Sequence, residues 1–353
     1  MTEFFNTPHL GYYFHYIVFF LNLTAILQCA KGIIYDNRIV ATNQLLGMFA
    51  AVIFIILMGM RPHTAAYGDT INYTHQFKLF VSTAPSQHWV WQREWLFDNL
   101  MRLFAKYSNL YAFFTLCAAI YVGTLWVALR RIFGEYNFVP FLIVISMFTF
   151  WTYGVNGVRN GMGASLFILA ISYADNIPAM LTIAFIAIGF HNSVLLMIGA
   201  ALLAWVMNDS RIYLGIWVLC VVISFLFGTT IQEWIAGYAN ELSGENKLTN
   251  YLVMTEREMK SEGLIVSTTF RWDFIAYSAM AVALGLYFTV RRNFQDEYYR
   301  WILNTYLICN AFWIIIIRAP YSNRFAQISW FILPIVLIYP FMRERFGLTK
   351  RRY

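Results

Sequence analysis

Long apolar runs separated by short polar segments occupy most of the 353 residues. A helix that crosses a membrane needs about 20 mostly apolar residues, so each run is a candidate span. The pattern predicts an all-α, polytopic membrane protein with about eleven transmembrane helices, interpreted as a single transmembrane domain over 1–353. The predicted spans are 11–29, 44–60, 108–128, 139–152, 161–174, 178–190, 193–207, 212–228, 273–290, 301–317 and 324–341.

One apolar run, 178–207, is interrupted only by His191, Asn192 and Ser193. A single straight helix of that length would measure about 45 Å, well over the roughly 30 Å hydrocarbon core of a bilayer. The run therefore predicts two shorter helices that are tilted or partly re-entrant.

Two polar segments, 61–107 and 229–272, are longer than the others and are predicted to be exterior loops. In the first, Trp89, Trp91 and Trp95 suit the headgroup region, and the residues that follow alternate apolar and charged positions with helical spacing. This pattern predicts an interfacial helix over 88–107. In the second segment, Ser243-Gly244-Glu245 is typical of a helix start.

Charge adds an orientation to this pattern. Only 12% of the residues are charged, about half the share of a soluble domain. The loops on the same side as 30–43 and the C-terminal tail hold 13 of the 25 lysines and arginines. Basic residues favour the cytoplasmic side, so we expect an exterior N-terminus and a cytoplasmic C-terminus. The basic excess indicates contact with anionic membrane lipids and not with nucleic acid.

With this orientation, ionisable residues gather at the exterior ends of different spans. They are Arg61, Asp69, Glu94, Arg159, His191, Arg318 and Arg324. Charges at membrane depth usually face a bundle interior or a water-filled cavity, and the planar guanidinium group matches phosphate oxygens. The set predicts a site for an anionic lipid headgroup. Each member also has a structural interpretation, since arginines at helix ends reach for lipid phosphates and glycines such as Gly161 allow close helix packing.

Nucleotide-binding, zinc-protease, kinase and serine-hydrolase motifs do not occur in the sequence. Asp-rich metal motifs are likewise not found. We therefore expect neither a cofactor nor a required divalent ion.

Short motifs in a fixed order resemble those of the EpsG family. Arg61-Pro62 followed by Gly68-Asp69-Thr70-Ile71-Asn72-Tyr73 resembles its "R…GxDxxxY" segment, and Glu94-Trp95-Leu96-Phe97 resembles the acidic segment after it. The later matches are Arg159-Asn160-Gly161-Met162-Gly163 to "RQGLA", with Asn160 where glutamine is common, Phe190-His191-Asn192-Ser193 to "FHxS", and Asn323-Arg324-Phe325 to "R-aromatic".

This family comprises Wzy-like polymerases of O-antigen, capsule and exopolysaccharide, so the resemblance implies a GT-C-like glycosyltransferase architecture. It implies a metal-independent enzyme that joins undecaprenyl-diphosphate-linked oligosaccharides, as donor and acceptor, at the periplasmic or outer face of the bacterial cytoplasmic (inner) membrane. A flippase and a chain-length regulator are further expected partners. With one general base and no covalent step, inversion at the anomeric carbon is expected.

The resemblance also assigns roles to residues. His191, Asp69 and Glu94 are candidates for the catalytic base. Diphosphate binding is expected of Arg159, Arg324, Arg61 and Arg318. Substrate binding is expected of Tyr73, Gly161, Asn192 and Tyr321.

Two other functions fit a cluster of charges at one side of a membrane. A flippase of lipid-linked glycans could use an arginine-lined cavity, although transporters usually show paired half-structures and sites near the bilayer midplane. A membrane acyltransferase could use a histidine at the membrane boundary.

Overall fold

The computed structural model describes residues 10–83, 88–91, 94–242, 270–319 and 322–346, and within these ranges it contains α-helices and no β-strand. The helices of the first half are α1 (Leu10–Ala30), α2 (Asn37–Gly59), α3 (Thr70–Ser82), α4 (Trp95–Tyr107), α5 (Leu110–Phe133), α6 (Phe138–Ser146), α7 (Phe148–Val155), α8 (Val158–Ile171) and α9 (Ile177–Phe190). Those of the second half are α10 (Val194–Val206), α11 (Ser210–Leu242), α12 (Trp272–Leu286), α13 (Glu297–Ile315), α14 (Asn323–Trp330) and α15 (Leu333–Phe346).

The chain is a multi-pass membrane protein. Among the described residues, 6 helical segments are long and apolar enough to cross a membrane: Leu10–Ala30, Asn37–Gly59, Leu110–Tyr136, Ser210–Ile231, Trp272–Arg291 and Asn323–Arg343. The bent pair α6–α7 would be a seventh, and α8, α9 and α10 are apolar but shorter. Large apolar side chains such as Leu45, Phe49 and Val52 on α2 are exposed, which suits contact with lipid.

The helices fall into two compact units, residues 1–198 with 342–353 and residues 199–341. In the first unit, α5 packs against α2 and α8, and α8 packs against α9. The amphipathic α4 lies against α3, α5 and α9 and buries Phe97, Met101 and Ala105. This packing brings the polar start of α4 to the ends of α8 and α9.

In the second unit, α13 packs against α11, α12 and α14 around a buried set of neutral polar side chains. The Asn310 amide donates to Ser278 Oγ (3.1 Å) and Ser329 Oγ (2.9 Å), and its oxygen accepts from the Trp217 indole at 2.7 Å. Trp330 also donates to Ser278 Oγ at 2.8 Å. We call these five residues the Asn310 cluster. Its hydrogen bonds replace those that water would otherwise supply, so polar side chains are accommodated in an apolar interior.

The predicted spans overlap helices, and two of them bear on the prediction. The run 178–207 is divided into two helices with the break at residues 191–193, as predicted. The segment 139–152 is not one straight helix, because an extended backbone at Met147 bends α6 from α7 by 73°. The count of eleven membrane crossings and their orientation stay predictions.

The two long polar segments contain more helix than expected. Segment 61–107 includes α3, whose Tyr73, Phe77 and Phe80 are buried along one face. The helix predicted over 88–107 begins only at Trp95, and residues 88–91 are not helical. In segment 229–272, α11 continues to Leu242, and the predicted helix start at 243–245 lies outside the described residues.

Candidate functional site

The Glu94 carboxylate joins two of the predicted functional residues. Its Oε2 accepts a hydrogen bond from Arg159 Nη1, and its Oε1 is hydrogen bonded to His191 Nδ1. Glu94 is the most enclosed of the three, whereas Arg159 and His191 keep 31% and 22% of their side chains exposed. We call Glu94, Arg159 and His191 the Glu94 cluster. A ligand can reach its cation and its imidazole, while the carboxylate holds both in place.

Three separate helix ends supply these side chains. Glu94 directly precedes α4, Arg159 lies in the first turn of α8, and His191 follows the last residue of α9. The α8 N-terminus adds its unpaired backbone N–H groups and the positive end of its dipole beside Arg159. The location therefore favours anions.

Close approach of α4 to α9 depends on Gly189. A Cβ atom at this position would lie 2.9 Å from Leu96 Cβ and 3.1 Å from the Trp95 ring. Gly163 has the same role between α8 and the residues from the end of α9 to the start of α10, since its Cβ would lie 2.6 Å from Val194 Cγ2 and 3.6 Å from His191 Cβ. Two missing side chains thus allow the three helix ends to meet.

Glu94 has a left-handed backbone conformation, with φ of 59° and ψ of 34°. A residue with a Cβ atom adopts this region at a cost of about 1 kcal/mol, and such residues concentrate at functional sites. The conformation places the carboxylate at the start of α4, where it points to Arg159 and His191.

The electrostatics of the site depend on one acid, its two partners and a second acid nearby. Burial raises the pKa of the Glu94 carboxyl, but the hydrogen bonds and charges of His191 and Arg159 outweigh burial and lower it overall. Burial raises the pKa of Asp98, and Glu94 adds to this effect while Arg159 opposes it. Glu94 is consequently ionised at neutral pH.

Two aromatic rings lie beside the Arg159 guanidinium. Its Cζ lies 5.3 Å from the centre of the Tyr73 ring and 5.5 Å from that of Phe97, so the cation faces two π systems. Burial raises the pKa of the Tyr73 phenol, and Arg159 opposes that shift. Beside them, Gln76 Nε2 donates to Asp98 Oδ1 at 3.3 Å. The predicted substrate residue Tyr73 therefore lines the Glu94 cluster.

Arg61 and Asp69 belong to a neighbouring loop that is fixed inside the first unit. The fully buried Arg61 donates from Nε to Thr70 Oγ1 at 2.9 Å and from Nη1 to the Met58 carbonyl, and its Cζ lies 4.0 Å from the Phe114 ring centre. The Thr70 hydroxyl in turn donates to the Val155 carbonyl at 2.6 Å.

Asp69 is held through its backbone, because its N–H donates to Asn156 Oδ1 at 2.8 Å, and its Oδ1 accepts from Asn72 at 3.3 Å. These contacts attach the loop to the segment that leads into α8 and Arg159.

The other predicted site residues have different surroundings. A Cβ at Gly161 would lie 3.0 Å from Tyr153, so this glycine serves helix packing. Asn192 lies in the α9–α10 turn, where its carbonyl accepts from the Leu195 N–H at 3.0 Å. Arg318 and Arg324 lie in the second unit, and Tyr321 lies outside the described residues.

Sequence reasoning assigned no role to three residues that build this site: Gly189, Asn156 and Ser193. Ser193 Oγ donates to Asn160 Oδ1 at 2.7 Å and links the α9–α10 turn to α8. Ser193 is the last residue of the FHxS motif, Gly189 directly precedes that motif, and Asn156 lies three residues before Arg159, so their positions in or near the motifs are the signal that the sequence offers. In the described part of the chain, no group of three or more His, Cys, Asp or Glu side chains is placed to hold a metal ion.

Comparison with known protein families gives a match. A protein-family model with the description "EpsG family" matches residues 44–352. This range includes every residue of the Glu94 cluster and its neighbouring loop. No curated protein and no solved structure matches the chain.

Proposed function

The chain belongs to the EpsG family, a family of Wzy-like polymerases, and on this premise we propose that it joins lipid-linked oligosaccharide repeat units into a polysaccharide. The donor and acceptor in this proposal are oligosaccharides on undecaprenyl diphosphate. The fold is GT-C-like with eleven crossings, and the Glu94 cluster faces the outer side of the bacterial cytoplasmic membrane. The observation that carries the proposal is the contact of Glu94 with both Arg159 and His191.

In this proposal His191 is the general base. Its Nδ1 is hydrogen bonded to Glu94, so its Nε2 is the nitrogen that accepts the proton of the acceptor hydroxyl. A carboxylate on one ring nitrogen fixes the tautomer and stabilises the imidazolium that forms when the other nitrogen takes a proton. The acceptor oxygen attacks the anomeric carbon of the donor, its proton moves to His191 Nε2, and solvent later removes that proton.

Arg159 stabilises the negative charge that develops on the leaving group. As the bond between the anomeric carbon and the diphosphate oxygen breaks, its electron pair remains on the lipid diphosphate. A fixed guanidinium at this point stabilises the developing charge more than it stabilises the neutral bond. Glu94 occupies Nη1 of Arg159 and so orients the group, while the N-terminus of α8 adds backbone donors.

The other predicted residues take supporting roles. Arg61 and Asp69 hold the loop before α3, and Tyr73 contacts the cation from that helix. The roles of Arg318, Arg324 and Tyr321 stay predictions from the sequence, and the proposed mechanism uses none of them.

Purified protein tests the reaction directly. It is incubated with the lipid-linked repeat unit of its source cells, with a chelator and without nucleotide sugars, and the products are separated by size. A ladder of multimers supports the polymerase and its independence of metal ions. Folded protein that forms no ladder but moves the same lipid across the bilayer would identify a flippase instead.

Substitution of Arg159 tests the role of the cation. Arg159→Lys keeps the charge but loses the planar group that contacts Glu94, so the rate of ladder formation is expected to fall about 100-fold. Arg131→Lys is the matched control, because Arg131 pairs with Asp175 in the same unit and its side chain is likewise 31% exposed, and it should leave the rate unchanged. Equal rates for the two variants would remove Arg159 from the reaction.

A further inference from the structure

Three tryptophans pack together next to Glu94, and two of them are exposed. The ring centres of Trp89 and Trp91 lie 5.8 Å apart, those of Trp91 and Trp95 lie 4.8 Å apart, and those of Trp89 and Trp95 lie 6.0 Å apart. Trp91 is 74% exposed and Trp89 is 56% exposed. We call these three residues the tryptophan platform.

A buried amide fixes the backbone that carries this platform. The Asn99 side chain on α4 accepts from the Val90 N–H at 3.0 Å and donates to the carbonyls of Val90 and Trp95, both at 2.7 Å. Asn99 is itself almost fully buried, although the neighbouring residues of the platform are exposed. A polar side chain inside the protein therefore serves to hold two large aromatic rings outside it.

The platform is continuous with the Glu94 cluster. Trp95 follows Glu94 in the chain and begins α4, and its ring packs beside Phe185 and the backbone of Gly189 on α9. A ligand in contact with the platform is thus next to the acid that holds Arg159 and His191.

We infer that the tryptophan platform binds a sugar ring of the oligosaccharide substrate, an inference that rests on the proposed function. A pyranose ring presents C–H groups on one face and hydroxyls around its edge. The C–H groups are buried well against the flat face of one exposed indole, and the hydroxyls remain in water. In this inference the saccharide part of the lipid-linked substrate lies on the platform, next to the reacting groups of the Glu94 cluster.

Exposed tryptophans also anchor proteins at the membrane interface, and this role makes different demands. An anchor needs amphipathic rings in the headgroup layer, but it needs neither mutual packing of three rings nor a backbone held by a buried amide. These two features are the reason for favouring the sugar.

The test measures binding without a bilayer, so that anchoring contributes nothing. The full-length protein in detergent is titrated with the oligosaccharide that mild acid releases from the lipid-linked repeat unit. Trp91→Ala is expected to weaken its affinity about 10-fold, which corresponds to about 1.4 kcal/mol, and Trp91→Phe should retain most of the affinity. Trp205→Ala, at a tryptophan that is 56% exposed in the second unit, is the control and should bind as the wild type does.

Polymerisation kinetics give a second measurement. If the platform binds substrate, Trp91→Ala raises KM and changes kcat little. Wild-type affinity and KM in both Trp89→Ala and Trp91→Ala would overturn the inference, even if the wild type forms a ladder. If the wild type binds the oligosaccharide but forms no ladder, and Trp91→Ala weakens that binding, the sugar site is upheld and the polymerase is overturned. Failure of the wild type to bind the oligosaccharide would also overturn the sugar site.

Discussion

The Glu94 cluster of the first unit and the Asn310 cluster of the second are both polar groups in an otherwise apolar chain, but they differ in charge and access. Asn310, Ser278 and Ser329 are neutral and fully buried, and each is hydrogen bonded to the others or to an indole. Glu94 and Arg159 are charged, and Arg159 and His191 remain partly exposed. A closed neutral network stabilises one packing of helices, whereas an open charged one retains the capacity to bind and to transfer a proton.

Removing the charge from Glu94 should have the largest effect on activity. Glu94→Gln leaves a side chain of similar size but takes away the carboxylate that orients His191 and Arg159. The rate of ladder formation per folded molecule is expected to fall about 1,000-fold. The protein should be produced at its normal level and elute normally in size-exclusion chromatography.

Asp175→Asn is the matched control for this change, since it removes another acid from an arginine partner, 3.2 Å from Arg131. Its rate should equal that of the wild type. Comparable losses in the two variants would mean that any ion pair of the first unit affects the rate, and the contrast between the clusters would fail.

A methyl group at Gly189 should have a smaller effect on the rate. Gly189→Ala places a Cβ atom 2.9 Å from Leu96 Cβ, so α4 must move away from α9. This movement increases the distance between Glu94 and His191. Catalytic groups displaced by a fraction of an ångström lose effectiveness, and the rate is expected to fall about 10-fold.

Gly123→Ala provides the comparison, because a Cβ at that position in α5 meets no atom within 4 Å. It should leave the rate unchanged. A normal rate in Gly189→Ala would show that the contact of α4 with α9 does not set the position of Glu94.

Truncation within the Asn310 cluster should lower the stability of the protein but hardly change its rate. Asn310→Ala leaves the buried Trp217 indole without its acceptor, which should lower the free energy of unfolding by about 2 kcal/mol. The rate per folded molecule should change less than about twofold, because the network makes no contact with substrate in the proposed mechanism. Unfolding in denaturant, followed with the rate at equal folded concentration, measures both. A rate loss as large as that of Glu94→Gln would contradict the structural role of this cluster.

The smallest effect concerns pH. The pKa of Glu94 in the folded protein is below the ordinary glutamate value of about 4.3, so its ionised form contributes stability that is complete above that value. This contribution is lost as pH falls through the lower pKa of the folded state. The stability difference between the wild type and Glu94→Gln, about 1 kcal/mol, should be retained at pH 5 and decrease as the pH falls below 4 in thermal unfolding. A decrease already between pH 7 and pH 5 would indicate a raised pKa.

Much of the helical framework could be predicted from apolar periodicity, because lipid and core both select the same side chains. The break at His191 was predictable since one helix over 178–207 would be too long for a bilayer. The bend at Met147 was not, because no proline or glycine marks it. The helix α3 carried a signal in the spacing of Tyr73, Phe77 and Phe80, but its polar residues concealed that signal.

For the candidate site, the sequence predicted which residue types are involved but not which atoms meet. Glu94 is 65 residues from Arg159 and 97 from His191, and their contact depends on how three helix ends pack. A guanidinium such as that of Arg61 looks the same in sequence whether it faces a ligand or a threonine hydroxyl. Gly189 could be found only by building a side chain onto it.

The left-handed backbone of Glu94 has a consequence for selection. Glycine or asparagine would adopt this conformation more easily, so a population selected for thermal stability alone should drift towards them at position 94. A population selected for its glycan should keep the acid. The amino acid at this one position therefore records which of the two pressures a lineage has experienced, and random libraries of position 94 sorted under each pressure should separate accordingly.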